Sequence, residues 1–329
     1  MENTMSKNYS ISLIRFLSLL SIITCHILQG LNLEAAFWFN VGVQIFLFMS
    51  GFLYGQKEIV NPNKWFIKQF KKIYISYLIL VIIIIFIDYV FFDIQYSKTT
   101  IVVNILGIQG FSSIIPTISH TWFVSYILLC YFITPVLQSF KFESIKNKDF
   151  IFTFLVILGF TFIFEYLKIT SFNSAWIFTY ILGYIYAKRF INKTKLFFIL
   201  LTIATLILLI PRVIIQYNLV DINIPQVLIN NLYYFQTYSH AFLGAWLFTI
   251  LFWIFNKINI KSNRLLEFSD KYSYHIYLVH QIFILFHMSL LNLTPYLVIN
   301  ICLILICSIL SGIILKKIDA FINVHIIKN

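Results

Sequence analysis

The chain has 329 residues, of which 60% are hydrophobic, 19% aromatic and only 11% charged. Soluble proteins are about 45–50% apolar, so the composition excludes an ordinary soluble enzyme and reads as an integral membrane protein, and repeated apolar runs of about 20 residues are too long for barrel strands. The formal net charge of +12 is not a nucleic-acid signal, because the lysines and arginines gather in short segments between apolar runs.

The runs predict an all-α integral membrane protein of about ten transmembrane helices, at 11–30, 36–56, 73–92, 119–139, 149–168, 174–190, 195–211, 233–256, 272–292 and 296–315. Basic residues concentrate in 57–72, 141–148, 188–195, 257–271 and the two tails, whereas the segments between them hold Lys98, Lys168 and Arg212. By the positive-inside rule this bias places the N-terminus and the C-terminus in the cytoplasm, in a multi-pass protein of the cell membrane. A single transmembrane domain is expected over 1–329, with no soluble appended domain and no repeat.

The first run, Ser12 to Gln29, carries Arg15 at its start and His26 near its far end. At about 100° per residue their offset comes within roughly 20° of whole turns, and at 1.5 Å per residue it is a rise of roughly 16 Å. Both side chains therefore share one helix face at two depths. An arginine in hydrocarbon costs at least ~2.5 kcal/mol, so Arg15 is expected to face protein or water. A neutral imidazole accepts a proton from a hydroxyl, and a guanidinium binds phosphate bidentately. The pair suits a reaction between an anionic cytosolic donor and an outward-facing hydroxyl. The plainer alternative is that Arg15 snorkels to the inner interface and His26 is a hydrogen-bonded packing residue. Arg15 interrupts the run and no small-residue cleavage site follows, so the segment is expected to be a retained helix and not a signal peptide.

Two outer segments are long: 93–118, with Gly107, Gly110 and Pro116, and 212–232, with Pro225, Asn223, Asn230 and Asn231. The apolar stretch Ile101 to Ile108 points to an interfacial or re-entrant piece, since bare backbone cannot sit unpaired in lipid. Together the two segments are expected to roof a cavity open to the outside. Cys25, Cys130, Cys302 and Cys307 lie in apolar runs without CxxC spacing, and His275 and His280 have no carboxylate beside them in sequence, so neither a disulfide framework nor a metal site is expected. Nothing has the form of a nucleophile elbow, a phosphate-binding loop or a dinucleotide fingerprint.

Ile14-Arg15-Phe16 with His26 resembles the first-helix motif of the acyltransferase 3 family, bacterial membrane O-acyltransferases of surface glycans. Gly42-Val43-Gln44-Ile45-Phe46-Leu47-Phe48-Met49-Ser50-Gly51-Phe52 is similar to its second-helix signature, with Gln44 where an acidic residue is common. Trp65 to Tyr74 resembles the basic run before the third helix, with lysines for arginines and Ile75 for a proline. His120-Thr121-Trp122-Phe123, with Tyr131 and Pro135, is similar to the fourth-helix element, and Tyr272-Ser273-Tyr274-His275-Ile276-Tyr277-Leu278-Val279-His280-Gln281 to a late one. The matches run in order over essentially the whole chain.

The resemblance implies an acyl donor, most often acetyl-CoA, bound from the cytosol as a substrate and not as a permanent cofactor. The implied acceptor is a hydroxyl of a surface polysaccharide or lipid-linked glycan. It makes His26 the proton acceptor and Arg15 the partner that organises the donor. Lys68, Lys71 and Lys72 would draw in a polyanionic carrier, or simply set topology and contact anionic lipid. Ser50, beside Gly51, would either permit close helix approach or help hold the thioester. His120, Trp122, His280 and Tyr277 are candidates for contacting the acceptor, and His240 a weaker one. Expected partners are acyl-CoA, the glycan and the bilayer, with no nucleic acid; a homo-oligomer or other glycan-biosynthesis proteins are compatible. The rival from another class is a glycan transporter or flippase, which would use an outer cavity for passage and tolerate loss of His26; a polymerase would be expected to carry a larger, arginine-bearing outer loop.

Overall fold

The computed structural model describes residues 7–166, 173–217 and 232–325, and among these every regular element is a helix. In chain order they are α1 (Tyr9–Gly30), α2 (Ala36–Phe39), α3 (Val41–Gly55), α4 (Pro62–Phe92), α5 (Lys98–Ile105), α6 (Trp122–Ser139), α7 (Asn147–Tyr166), α8 (Ser174–Ile185), α9 (Thr194–Tyr217), α10 (Leu232–Ile258), α11 (Arg264–Val279) and α12 (Leu297–His325). Seven stretches among the described residues are long and apolar enough to cross a membrane: Tyr9–Gly30, Ala36–Gly55, Pro62–Phe92, Pro116–Ser139, Ser174–Ile214, Gln236–Ile258 and Leu297–His325. The fifth of these joins two of the expected crossings through a π-turn at Tyr186–Phe190. Helix surfaces left open are apolar: α4 exposes Ile82, Phe86, Val90 and Phe91, and α7 exposes Ile151, Phe152, Leu155 and Phe160, which suits contact with lipid. The outer segment 212–232 lies, beyond residue 217, outside the described residues, as does Lys168.

The chain forms two compact units. The first comprises Met1–Asn40, Asn61–Phe132 and Ile260–Asn329. Within it α1, α4 and α11 run in one direction. Arg15 and Ser12 meet Asp270, while His26, further along α1, meets His280 just past α11. Tyr274 donates to the Ile73 carbonyl at 2.7 Å, and Ser76 lies 3.0 Å from His275. Asn61 caps α4 by accepting from the Lys64 amide, and Pro62 opens the first turn, where a missing N–H costs nothing. At 1.5 Å per residue the 31 residues of α4 span about 46 Å, more than a core of ~30 Å. Its lysine-bearing first turns therefore project beyond the apolar part.

α4 serves as a ruler for the segment that follows it. Tyr96 donates to Asp88 Oδ2 at 2.5 Å near the C-terminal end of α4. Further on, the Asn104 carbonyl accepts from Tyr77 at 2.7 Å, and the Ile105 carbonyl accepts from Tyr74. Thr117 then returns to Asp88 Oδ2 at 3.0 Å. Asp88 and Tyr74 are about 21 Å apart along the helix axis, so the segment dips beside α4 and comes back, as a re-entrant piece does. Its polar backbone is satisfied on the way. Asn104 donates to the carbonyls of Thr100 and Ser113, and Gln109 to that of Thr121. Gly107, at φ +72°, makes the turn at the bottom against the Tyr74 ring.

One expected crossing is not a continuous helix. The run 272–292 is helical only to Val279, tightens to a 3-10 turn at His280–Phe283, and continues in turns to α12. Side chains cause the break. His280 bonds back to the Tyr277 carbonyl, and Gln281 is held by Ser119 and His120. Asn300 secures the remainder by donating to the carbonyls of Leu291 and Thr294.

The second unit comprises Val41–Val60 and Ile133–Asn259. Its centre is the crossing of α3 and α8. A Cβ on Gly51 would lie 2.0 Å from the Tyr180 carbonyl oxygen, and one on Gly183 would lie 2.1 Å from that of Phe48. The two backbones meet through reciprocal glycines, as small residues allow in membranes. Gln44 is buried here and accepts from Thr179 at 2.9 Å, so the amide that stands in place of an acidic residue ties α3 to α8.

Candidate active site

All three histidines of the site belong to the first unit. α1 brings His26 to the place where α11 ends and the chain enters α6. Ring centroids of His26 and His280 are 5.1 Å apart, those of His26 and His120 6.1 Å, and those of His120 and His280 4.9 Å. Each imidazole is held differently, and the differences assign chemistry.

His26 donates from Nδ1 to Oε1 of Gln29, one turn ahead, at 2.7 Å. With the amide oxygen of Gln29 turned to the ring, the proton sits on Nδ1 and the lone pair on Nε2, an arrangement that suits a general base. His280 donates from Nδ1 to the Tyr277 carbonyl at 2.6 Å, and a carbonyl can only accept, so its lone pair is also on Nε2. That nitrogen is buried and, among the described residues, has no hydrogen-bond partner. His120 is gripped at both ends: Nδ1 lies 2.5 Å from Gln281 Oε1, and Nε2 lies 2.9 and 3.0 Å from the carbonyls of Tyr277 and Leu278. Its backbone N–H also donates to Gln281 Oε1 at 2.7 Å, and Tyr277 donates its hydroxyl to the His120 carbonyl at 2.6 Å. His120 and Tyr277, expected at the acceptor, thus have their polar atoms engaged by the protein, and they clamp the start of α6 to the end of α11.

Some 16 Å below His26 on the same α1 face, Arg15 pairs through Nη1 with Asp270 Oδ1. Ser12 donates to Asp270 Oδ2 at 2.5 Å, and Lys7 reaches the same oxygen at 2.8 Å. Arg15 is 26% exposed, and its hydrogen bonding to protein is through Nη1. The guanidinium is thus anchored through Nη1 while part of the side chain stays accessible. Burial works to raise the Asp270 carboxyl, at the membrane edge of α11. Hydrogen bonds from Lys7 and Ser12, with the charges of Arg15 and Lys7, outweigh it and hold the group below its ordinary value.

The structure therefore brings together His26, His120, His280 and Tyr277, and places Arg15 below them on the same helix. Trp122 is half-buried at the start of α6, edge-on to Tyr126 with centroids 5.7 Å apart. Lys68 and Lys72 are exposed on the early turns of α4. Ser50 is half-buried in the second unit beside the Gly51 crossing, and His240 is buried on α10 of that unit. Sequence reasoning missed Asp270, Ser12 and Gln29. Asp270 precedes His280 by nearly the offset with which Arg15 precedes His26, which was a signal; Gln29 left none beyond its place one turn after His26.

The site is thus that of a multi-helix membrane protein in which three imidazoles gather where α11 ends and a carboxylate-anchored arginine lies further back along α1. Neither a curated protein nor a solved structure matches the chain. The chain belongs to the acyltransferase 3 family, whose model, an acyltransferase domain, matches residues 8–316.

Proposed function

We propose that this protein transfers an acyl group, acetyl in the simplest case, from cytosolic acyl-CoA to a hydroxyl of a surface polysaccharide or lipid-linked glycan. Family membership supports acyl transfer within a membrane protein. The observation that carries the mechanism is the tautomer of His26: with Nδ1–H on Gln29, Nε2 is ready to take a proton.

In this reading Nε2 of His26 removes the hydroxyl proton as the oxygen attacks the thioester carbonyl. The C–S bond breaks and the thiolate leaves toward the inner side. Arg15, steadied by Asp270, offers its accessible part to the donor's phosphates. Lys68 and Lys72 add attraction from the projecting turns of α4. The thioester arm covers the rise from Arg15 to His26, so the anionic part of the carrier need not enter the membrane. His120 and Tyr277 hold the cluster in place, and Trp122 borders the acceptor side. The topology belonging to this reading is ten crossings with both termini cytoplasmic. The common direction of α1, α4 and α11 agrees with it, because an odd number of crossings, one and then five, would lie between each and the next.

The test is His26→Ala. O-acetyl content of the surface glycan, read by NMR, is expected to fall to the level of cells lacking the protein while the variant stays in the membrane. Unchanged content would overturn the reading and favour a transporter.

A further inference from the structure

The proposed reaction leaves one group without a task. His280 is fully buried, its tautomer is set by the Tyr277 carbonyl, and its Nε2 lone pair has no partner among the described residues. An orphaned acceptor at this depth is destabilising, and a simple packing role would be filled better by an apolar ring.

Its surroundings say what it can accept from. The Nδ1 side is closed by its own helix end. His120, 4.9 Å away between centroids, has both nitrogens directed at Gln281 and the α11 carbonyls. The stretch of α12 from Leu297 to Leu315, which packs against the same turn, carries no charged residue. That leaves His26. The rings are tilted at 44° with centroids 5.1 Å apart, a separation that lets one nitrogen of each reach hydrogen-bond distance when the rings turn toward one another. In the resting state both Nε2 atoms are bare and neither can donate to the other. Once His26 has taken a proton on Nε2, that N–H is a donor and His280 Nε2 is the acceptor that suits it.

We propose that His280 is the second half of a shared proton acceptor. The inference rests on the proposed role of His26. The acceptor O–H bond breaks as an N–H bond forms on His26 Nε2, and the new N–H, which still faces the attacking oxygen, is shared with His280 Nε2 in a three-centre hydrogen bond. The proton is held between the two rings while the C–O bond forms and the C–S bond breaks, then passes to the departing thiolate. Charge is conserved: one hydroxyl proton enters the pair and one thiol proton leaves. His280 touches no substrate and acts as a positioning residue through His26. Its arrangement also explains why α11 stops at Val279, since the turn directs Nε2 back at α1.

The test uses the full-length protein purified in detergent, which opens both faces, with acetyl-CoA and the alkali-treated surface glycan of the native host, and follows release of free thiol. His280→Gln keeps a hydrogen-bonding side chain without a second base, and His280→Leu removes both. Both are expected to lower kcat about tenfold, a part of the 10²–10⁴ that a positioned base supplies, with KM for acetyl-CoA unchanged. The solvent deuterium isotope effect on kcat is expected to differ between wild type and His280→Gln, because the transferred proton is no longer shared between two nitrogens. A purely structural role would lower kcat and leave that isotope effect unchanged. Wild-type kcat and isotope effect in a folded His280→Gln protein, with His26→Ala inactive, would overturn this inference alone. Full transfer by His26→Ala would overturn the reading beneath it as well.

Discussion

Asp270 governs how Arg15 is presented. A carboxylate on one edge of a guanidinium fixes its plane, which a lysine's point charge cannot reproduce. Arg15→Lys is therefore expected to reduce glycan O-acetyl content strongly at unchanged membrane abundance. Asp270→Asn takes the charged acceptor from Arg15, Ser12 and Lys7 together, at an expected cost of about 1–3 kcal/mol in stability. Lys7→Ala should cost at most ~1 kcal/mol, because Lys7 is 47% exposed and such pairs contribute little. The sign of the pH effect follows from the lowered Asp270 carboxyl. A carboxyl depressed on folding stabilises above its unfolded value of about 4 and loses that contribution as pH falls through the folded one. Thermal unfolding in detergent should thus weaken on acidification below about pH 4 in the wild type and less so in Asp270→Asn; parallel curves would place the acid sensitivity elsewhere. Arg15 and His26 were legible in the sequence because charged and imidazole side chains stand out in an apolar run and helical period puts them on one face. Asp270 was not, because Arg264, Glu267 and Lys271 surround it in a stretch that also reads as an ordinary charged loop.

Helices were legible wherever an apolar run was uninterrupted, and the misjudged element shows the limit of that signal. The run 272–292 has the length and hydropathy of a crossing, yet its path is decided by His280 and Gln281, whose partners Ser119 and His120 lie far away in sequence. Long-range hydrogen bonds override local propensity there. The re-entrant limb at α5 was anticipated from the need to pair backbone in lipid, although its depth became measurable only against α4. Ser50-Gly51 carried two readings, helix approach and thioester binding, and the crossing of α3 and α8 gives the glycine the first. Gly51→Ala would set a Cβ 2.0 Å from a carbonyl oxygen that belongs to helix backbone, and Gly183→Ala would do the same in reverse. Neither contact relaxes by a side-chain rotation, so each substitution is expected to destabilise by about 3 kcal/mol or more. Thermal melting of the purified protein reads this directly. Ser50→Ala, by comparison, should melt like the wild type if the serine is only a small neighbour of the crossing.

At the scale of the whole molecule, the proposed reaction requires that the donor and the acceptor approach from opposite sides of the membrane, and charge supplies the argument for which is which. The N-terminal approach to α1 carries Lys7, that to α4 carries Lys64, Lys68, Lys71 and Lys72, and that to α11 carries Lys261 and Arg264. These three helices run in one direction, so their basic ends lie on one side, which in the proposed topology is the cytoplasmic one by the positive-inside rule. Arg15 and Asp270 lie toward that end, and the histidines about half a membrane further in. The opposite end holds Asp88 and His287, 2.8 Å apart. Alkaline phosphatase, which is active only outside the cytoplasm, is expected to be inactive when fused after Asn259 or Lys317 and active when fused after Ser289. The fusion after Ser289 is the decisive one, because the helix that should carry the chain outward stops at Val279 and only the turn beyond it completes the passage. Activity after Asn259 would reverse the sidedness: the anchored cation would then face the glycan and the thioester would have no cytosolic entry to His26.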